Sequence, residues 1–413
     1  MMKISRQDFM QGKPYSLLKI TNPNYSLLKN RNMKNLFLTA IMLVCLVAGK
    51  AGEEYYSIGT KHTIYSEVLD EDRNIMVYTP LGYEQSKQAY PVLYLLDGGA
   101  HFHHASGIVQ FLSAQGVIPQ MIVVAITNVD RNRDFSPSHL DKLPTSGGAD
   151  HFLEFLSAEL MTFIDGQYRT VPYDILAGHS FGGTFATYAL LEKPELFDAY
   201  IAMSPYLMWD DDFMVKEAEQ KLRPEYEHPI VFYMTVGNEP NYYGALAEFT
   251  QLVETKSSKD ITLTYELMQD ENHGSIPHMS IYRGLEEIYS GWKLPKSTFI
   301  AGLDAIDKHY QSLSERYGYR IGTPEYTVNA LGYYYLNNDQ MEKSLKVFDE
   351  NLSRFPESAN VYDSYGEALE KKGQLSLAEA NYSKAVEIAE KEDHPYLNVY
   401  VRNLERVSKK LTP

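Results

Sequence analysis

Cysteine is almost absent from this chain. The single one, Cys45, lies in an apolar run near the amino terminus, so disulfides, a cysteine nucleophile and thiolate metal sites are excluded from everything beyond it. Positive charge is scarce past the same point: the first fifty residues hold eight Lys or Arg against one Asp, a net +7, and the remainder carries −23. A body this acidic repels a phosphate backbone, which sets nucleic-acid binding aside. The apolar run at residues 36–48 is thirteen residues long, short of the roughly twenty that a spanning helix needs. Stable membrane insertion is therefore not expected.

What is present begins with that run. Met33-Lys34-Asn35 precede it and Gly49-Lys50-Ala51 follow it, giving a basic lead, an apolar centre and small residues at −3 and −1 before Gly52. This pattern reads as a cleaved secretory signal at 33–51 and predicts a periplasmic or secreted protein. Translation is expected from Met33, with residues 1–32 an extra extension, and Val44 is too large for a lipoprotein signal at Cys45. With 413 residues, 44% hydrophobic and 22% charged, the chain has the size for two folded units and the composition to bury a core in each.

Strand-like runs fall at 62–69, 74–79, 92–97, 121–128, 174–177, 199–203, 230–236 and 261–268, with helix-like stretches such as 150–167 and 184–192 between them. Alternation of this kind over 57–292 predicts an α/β fold, a mostly parallel sheet covered by helices on both faces. After Trp292 the strand pattern stops. Residues 293–323 read as a linker and capping helix, 324–391 as two helical repeats, and 392–413 as a closing helix. The repeat is 34 residues long: Leu331 matches Tyr365, Gly332 matches Gly366, Gln340 matches Gln374 and Phe348 matches Tyr382. A helix-turn-helix period of this length resembles the tetratricopeptide repeat, which implies a small all-α domain able to take a protein or peptide partner. Two repeats expose faces that need covering, so the helices at 301–317 and 397–411 cap the array, or it docks on the larger domain.

Gly178-His179-Ser180-Phe181-Gly182 follows the run at 174–177 and precedes a helix. Gly-x-Ser-x-Gly between strand and helix is the nucleophile elbow of α/β-hydrolases, with Ser180 on a sharp turn at a helix amino terminus. A serine hydroxyl needs a base held by a carboxylate, and in this fold the chain order is Ser, acid, His. His273, between Asn272 and Gly274 after the last strand, is the expected base, with His278 as rival. Glu239, just past the strand at 230–236, is the expected acid; Asp210, Asp211, Asp212, Asp270 and Glu271 are the alternatives. The oxyanion donors are expected to be the backbone N–H groups of Phe181 and of Gly99, in Leu96-Asp97-Gly98-Gly99-Ala100.

Taken together with Tyr94-Leu95-Leu96-Asp97-Gly98, Asn128-Val129-Asp130-Arg131-Asn132-Arg133-Asp134, Gly147-Gly148-Ala149-Asp150-His151-Phe152 and His273-Gly274-Ser275, this stretch resembles the esterase D-like α/β-hydrolases that include siderophore esterases of the ferric-enterobactin type. The resemblance spans about 57–292. It implies a serine carboxylic ester hydrolase with Ser180 and His273 as the catalytic pair, working without a cofactor on a small-molecule ester, a siderophore or another extracytoplasmic ester. Polysaccharide feruloyl or acetyl esters and acyl transfer fit the same scaffold, and an inactive hydrolase fold that recruits a partner through the repeats is the reading from another class. Arg131 and Arg133 either fork an anionic substrate group or pair internally with Asp130 or Asp134. His101, with His103 and His104, is read as part of a loop lining the acyl pocket and not as a metal site, because no carboxylate motif accompanies it. Trp209 is a further candidate for substrate contact.

Overall fold

The chain is described by a computed structural model over residues 56–257 and 259–412. The expected signal segment and the extension before it lie outside these residues.

Eight strands form one sheet: β1 (Thr60–Ser66), β2 (Glu71–Tyr78), β3 (Tyr90–Leu95), β4 (Ile122–Ile126), β5 (Thr170–His179), β6 (Ala199–Met203), β7 (Ile230–Val236) and β8 (Ile261–Leu267). Their order is β1-β2-β4-β3-β5-β6-β7-β8. β2 runs antiparallel to β1 and β4, and every pair from β4 across to β8 is parallel. β3, β4 and β6 are buried along their whole length, as uninterrupted apolar runs must be when both faces of a parallel sheet are covered. The edge strand β1 alternates instead, with its exposed positions turned to water.

Fifteen helices are described: α1 (Gly98–Ala114), α2 (Arg131–Phe135), α3 (Ala149–Glu154), α4 (Met161–Gln167), α5 (Phe181–Glu192), α6 (Trp209–Lys221), α7 (Tyr243–Lys256), α8 (Ile276–Ile288), α9 (Lys296–Ala301), α10 (Leu303–Tyr317), α11 (Glu325–Asn337), α12 (Met341–Arg354), α13 (Ala359–Lys371), α14 (Leu375–Lys391) and α15 (Leu397–Leu411). Alternate strand residues feed opposite cores, as the period of two demands. Val92, Tyr94, Leu176 and Phe232 pack with Phe152, Phe185 and Phe249 of α3, α5 and α7. Leu93, Leu95, Ile175 and Ile201 pack with Val109, Leu112, Ile281 and Leu285 of α1 and α8.

The helix expected at 150–167 is broken in the middle by a six-residue π-helical turn, Phe155–Leu160, which joins α3 to α4. The wider turn keeps Phe155, Leu156 and Leu160 buried, a register that an uninterrupted 3.6-residue period would rotate off the sheet. β5 extends well beyond the expected 174–177, because Thr170 already pairs with Tyr90 across a register shift.

Helices α10 and α11, with Val347 of α12, share the second core, while α13–α15 pack in two smaller clusters. Ile306, Tyr310, Leu313, Tyr317, Val328 and Leu331 belong to the same buried cluster as the strand residues above. The join is aromatic: Tyr317 lies edge-on to Tyr173 of β5 at 5.2 Å and stacks at a tilt on Tyr289 at 5.2 Å, and its hydroxyl donates to the Ile288 carbonyl at 3.1 Å. Such pairs add to the area they bury. Within α11–α14 the 34-residue period has a steric cause. A Cβ on Gly332 would stand 2.6 Å from the Phe348 ring, and one on Gly366 would stand 2.9 Å from the Tyr382 ring, so each pair of helices closes through a glycine against an aromatic.

A core shared in this way unfolds as one unit. Leu313 is 3% exposed, and Leu313→Ala is expected to cost about 2–5 kcal/mol, with far-ultraviolet and tyrosine signals melting together. An early, separate melting of α10 and α11 would contradict the shared core.

Candidate active site

β5 ends at Gly178-His179, and Ser180 turns the chain into α5 with φ 57° and ψ −117°, a conformation that side chains with a Cβ rarely adopt. The flanking glycines explain why the turn closes. A Cβ on Gly178 would lie 2.1 Å from the Gly182 carbonyl oxygen, and one on Gly183 would lie 3.1 Å from Pro205 Cα. The elbow is tied to the next strand by the Ser180 N–H, which donates to the Met203 carbonyl at 2.9 Å. Ser180 Oγ makes no hydrogen bond among the described residues.

The carboxylate and the histidine meet beside it. Glu239 follows β7, and its Oε1 lies 2.5 Å from Nδ1 of His273, which the loop after β8 delivers. Glu239 is 11% exposed and His273 40%. The other carboxylate oxygen accepts from Ser204 Oγ at 2.5 Å and from the Gly237 N–H at 3.3 Å. The ring of His179, next to Ser180 in sequence, lies 4.5 Å from the His273 ring, centroid to centroid, so elbow and histidine are in contact. Of the rival residues, Asp210 accepts from Ser138, Asp211 pairs with Lys216, Glu271 accepts from Ser275 and His278 lies against His104, while Asp212 and Asp270 are exposed.

The expected oxyanion donors both stand at helix starts. Phe181 opens α5 and Gly99 is the second residue of α1, positions whose N–H groups have no intrahelical acceptor and face the positive end of a helix dipole. Gly98 is pressed against the backbone of β4, with a virtual Cβ 2.7 Å from Ala125, whereas a Cβ on Gly99 would meet open space.

Arg131 fastens the two helix starts together. Its Nε donates to Asp97 at 2.6 Å, and its terminal nitrogen donates both to Asp97 at 3.0 Å and to the His179 carbonyl at 3.0 Å. The guanidinium lies 5.6 Å from the Phe181 ring centroid. Asn128 adds a third donor to Asp97 at 2.6 Å. Arg131 thus pairs internally, but with Asp97 and not with Asp130 or Asp134. Arg133 also pairs internally, with Glu71 and Asp134, while Asp130 caps α2 by accepting from the Arg133 N–H at 3.0 Å. Arg133 lines a pocket of about 300 Å³, together with Val68, Leu69 and residues 145–148 and 151, that none of Ser180, His273 and Glu239 reaches. Neither arginine meets the expectation of an uncommitted anion fork.

His101 departs from expectation as well. Asp97 takes a left-handed conformation, φ 53°, and the helix begins at once, so His101, His103 and His104 lie on α1 and not on an extended loop. His101 is buried, its Nδ1 3.0 Å from His104 Nε2 and its ring 5.8 Å from that of His179. Trp209 is buried edge-on to Phe181 at 5.2 Å, its indole N–H donating to Ser138 at 2.8 Å. Tyr206 and Tyr242 complete an aromatic wall that runs from Trp209 and Phe181 to His273, each ring within 5.8 Å of the next. Sequence reasoning missed Tyr206, Tyr242, His179 and Ser204. His179 and Ser204 had a local signal, since each immediately follows or ends a strand beside the elbow.

A sheet of this topology with a glycine-flanked serine at the end of its middle strand and a carboxylate-backed histidine beyond its last strand is an α/β-hydrolase fold. The profile of the Esterase family, described as "Putative esterase", matches residues 66–274, and the chain belongs to this family. It is 28% identical over 224 residues to the ferri-bacillibactin esterase BesA of Bacillus subtilis, covering 48% of this chain and 78% of that protein. It is 30% identical over 170 residues to a siderophore triacetylfusarinine C esterase of Aspergillus fumigatus, covering 37% of this chain and 58% of that protein. Among solved structures, an IroE-like serine hydrolase from Shewanella oneidensis superposes with a TM-score of 0.63 at 26% identity, over 72% of this chain and 99% of that one.

Burial keeps the imidazoles beside the site neutral. It holds His179 down to about 4, helped by His273 and His101, and holds His104 down to about 4, helped by its histidine neighbours. In the unfolded chain these groups titrate near 6.5. Between about pH 6.5 and 4 the unfolded chain therefore binds more protons, so their contribution to stability is complete above pH 6.5 and is lost as the pH falls through that window. Urea midpoints are expected to drop from pH 7 to 4.5, and more shallowly for His179→Gln; an identical slope in the variant contradicts the assignment.

Proposed function

We propose that the protein is a serine carboxylic ester hydrolase acting through an acyl-enzyme intermediate, with Ser180 as nucleophile, His273 as base and Glu239 as the acid that orients it. The observation that carries this reading is the 2.5 Å contact between Glu239 and His273 Nδ1, formed where the His273 ring also touches the serine elbow. With Nδ1–H donated to the carboxylate, Nε2 is left as the acceptor for the serine proton. Ser180 Oγ attacks the ester carbonyl, the proton passes to His273, and the oxyanion is held by the N–H groups of Phe181 and Gly99. The alcohol leaves with that proton, and water repeats the sequence to release the acid. Contacts between nucleophile and base are often long without substrate.

The substrate class we infer is a siderophore ester or a related extracytoplasmic ester, supported by the names of the two curated relatives. The partly exposed rings of Phe181, Tyr206 and Tyr242, backed by the buried Trp209, offer such a ligand an apolar wall; of the residues proposed to touch substrate, we retain Trp209 in this indirect sense and assign Arg131 to holding the elbow. The 34-residue helix pairs read as tetratricopeptide-like and suit a peptide partner. Export through the segment at 33–51 would place the site outside the cytoplasm.

Hydrolysis of a short p-nitrophenyl ester and of a ferric siderophore ester tests the reading. Ser180→Ala and His273→Ala are each expected to lose at least about 10³-fold in kcat, and the double variant little more, because residues that act as a unit are non-additive. Undiminished turnover by Ser180→Ala removes it from the mechanism.

A further inference from the structure

Ser204 is the first residue after β6, fully buried, and its backbone takes φ 41°. Left-handed backbone is disfavoured for a residue with a Cβ and open to glycine. A serine held there in the dark of the core invites the question of what its hydroxyl does. Among the described residues its only acceptor is Oε2 of Glu239, at 2.5 Å. The position is fixed from both sides: the Ser204 N–H donates to the Thr235 carbonyl at 2.8 Å, and the carbonyl of the preceding Met203 accepts from the Ser180 N–H at 2.9 Å. One short segment thus grips the nucleophile's backbone and the acid's side chain together.

The consequence lies in the carboxylate. Ser204 Oγ and the Gly237 N–H both donate to Oε2, and among the described residues only His273 Nδ1 meets Oε1. Two donors on one oxygen and the imidazole on the other leave a single rotation of the carboxylate. Without the hydroxyl, Oε2 keeps only the longer contact at 3.3 Å from Gly237. The carboxylate is then free to turn, and its charge, less dispersed in a site that is mostly out of water, attracts the imidazolium more strongly.

We infer that Ser204 is a positioning residue for the proposed reaction: its hydroxyl locks Glu239 so that Oε1 holds His273 in the tautomer that can accept the Ser180 proton. The inference rests on the serine-esterase reading above. Among the described residues, the ionisable groups facing His273 are Glu239 from the loop after β7, His179 from β5 and Tyr242 from the segment before α7, and of these Glu239 is the one that Ser204 touches.

Strain and hydroxyl are separable by two substitutions. Ser204→Ala removes the hydroxyl and keeps the backbone strain; Ser204→Gly removes both. If the hydroxyl does the positioning, both variants lose roughly ten- to a hundredfold in kcat on the p-nitrophenyl ester, less than loss of the carboxylate itself would cost. Both keep KM within about twofold, and in both the rise of kcat/KM with pH moves to higher pH. Their melting temperatures differ in the opposite sense, with the glycine variant the more stable. The low-field proton resonance of His273 Nδ1–H in the native protein should broaden or move upfield in both. Full activity and an unmoved pH profile in either variant, with Ser180→Ala inactive in parallel, overturns the role of Ser204. An active Ser180→Ala overturns instead the reading on which it rests.

Discussion

Gly178 and Gly182 approach so closely at the end of β5 that a Cβ on the first would overlap the carbonyl oxygen of the second. That approach lets the chain reverse within one residue, and the left-handed conformation of Ser180 is its result. Everything else in the site is arranged around the turn. The Ser180 N–H reaches across to Met203 at the end of β6, the next residue of that strand end reaches Glu239 at the end of β7, and Glu239 reaches His273 beyond β8. Four neighbouring parallel strands deliver their carboxyl ends to one place, where open α/β sheets bind ligands.

Electrostatics works through committed charges. Asp97 and Arg131 neutralise each other while holding the start of α1 against the elbow, and a pair of this kind, largely withdrawn from water, is costly to break. The imidazoles of His101, His104 and His179 are kept uncharged by burial, so they add packing beside His273 without adding positive charge. The amides at the starts of α1 and α5 therefore stand among groups that are neutral or already paired, where fixed dipoles act most strongly.

Much of the sheet was legible because each parallel strand is a short apolar run bounded by turn signals, and β6 and β7 fall on the residues the run lengths mark. Pairing with a neighbour is not visible in such a run, which is why Thr170–Tyr173 of β5 was missed, and the π turn at Phe155–Leu160 has no Gly or Pro to mark it within one continuous helical stretch. The elbow and the Glu239–His273 contact follow from residue type and chain order. The partner of Arg131 does not. Asp97 lies 34 positions away and is brought near by the β3–β4 pairing, whereas sequence reasoning reaches only adjacent carboxylates such as Asp130 and Asp134. The histidines after Asp97 read as a loop because their spacing suits opposite sides of an extended chain; a helix that starts on two glycines opposes local propensity, and the contact of Gly98 with β4 holds it there. Ser204 has the signal of its place just after β6, but that place does not announce its left-handed backbone or its contact with Glu239.

The central claim is that Ser180 is made nucleophilic by His273, and covalent labelling tests it most directly. The protein is treated with a fluorophosphonate probe, and the adduct is located by peptide mass spectrometry, in parallel with the His273→Ala variant. The account predicts one adduct, on the peptide that contains Ser180, in the unaltered protein and little or none in the variant. No adduct in the unaltered protein, an adduct on another residue, or equal labelling of Ser180 without His273 would contradict it.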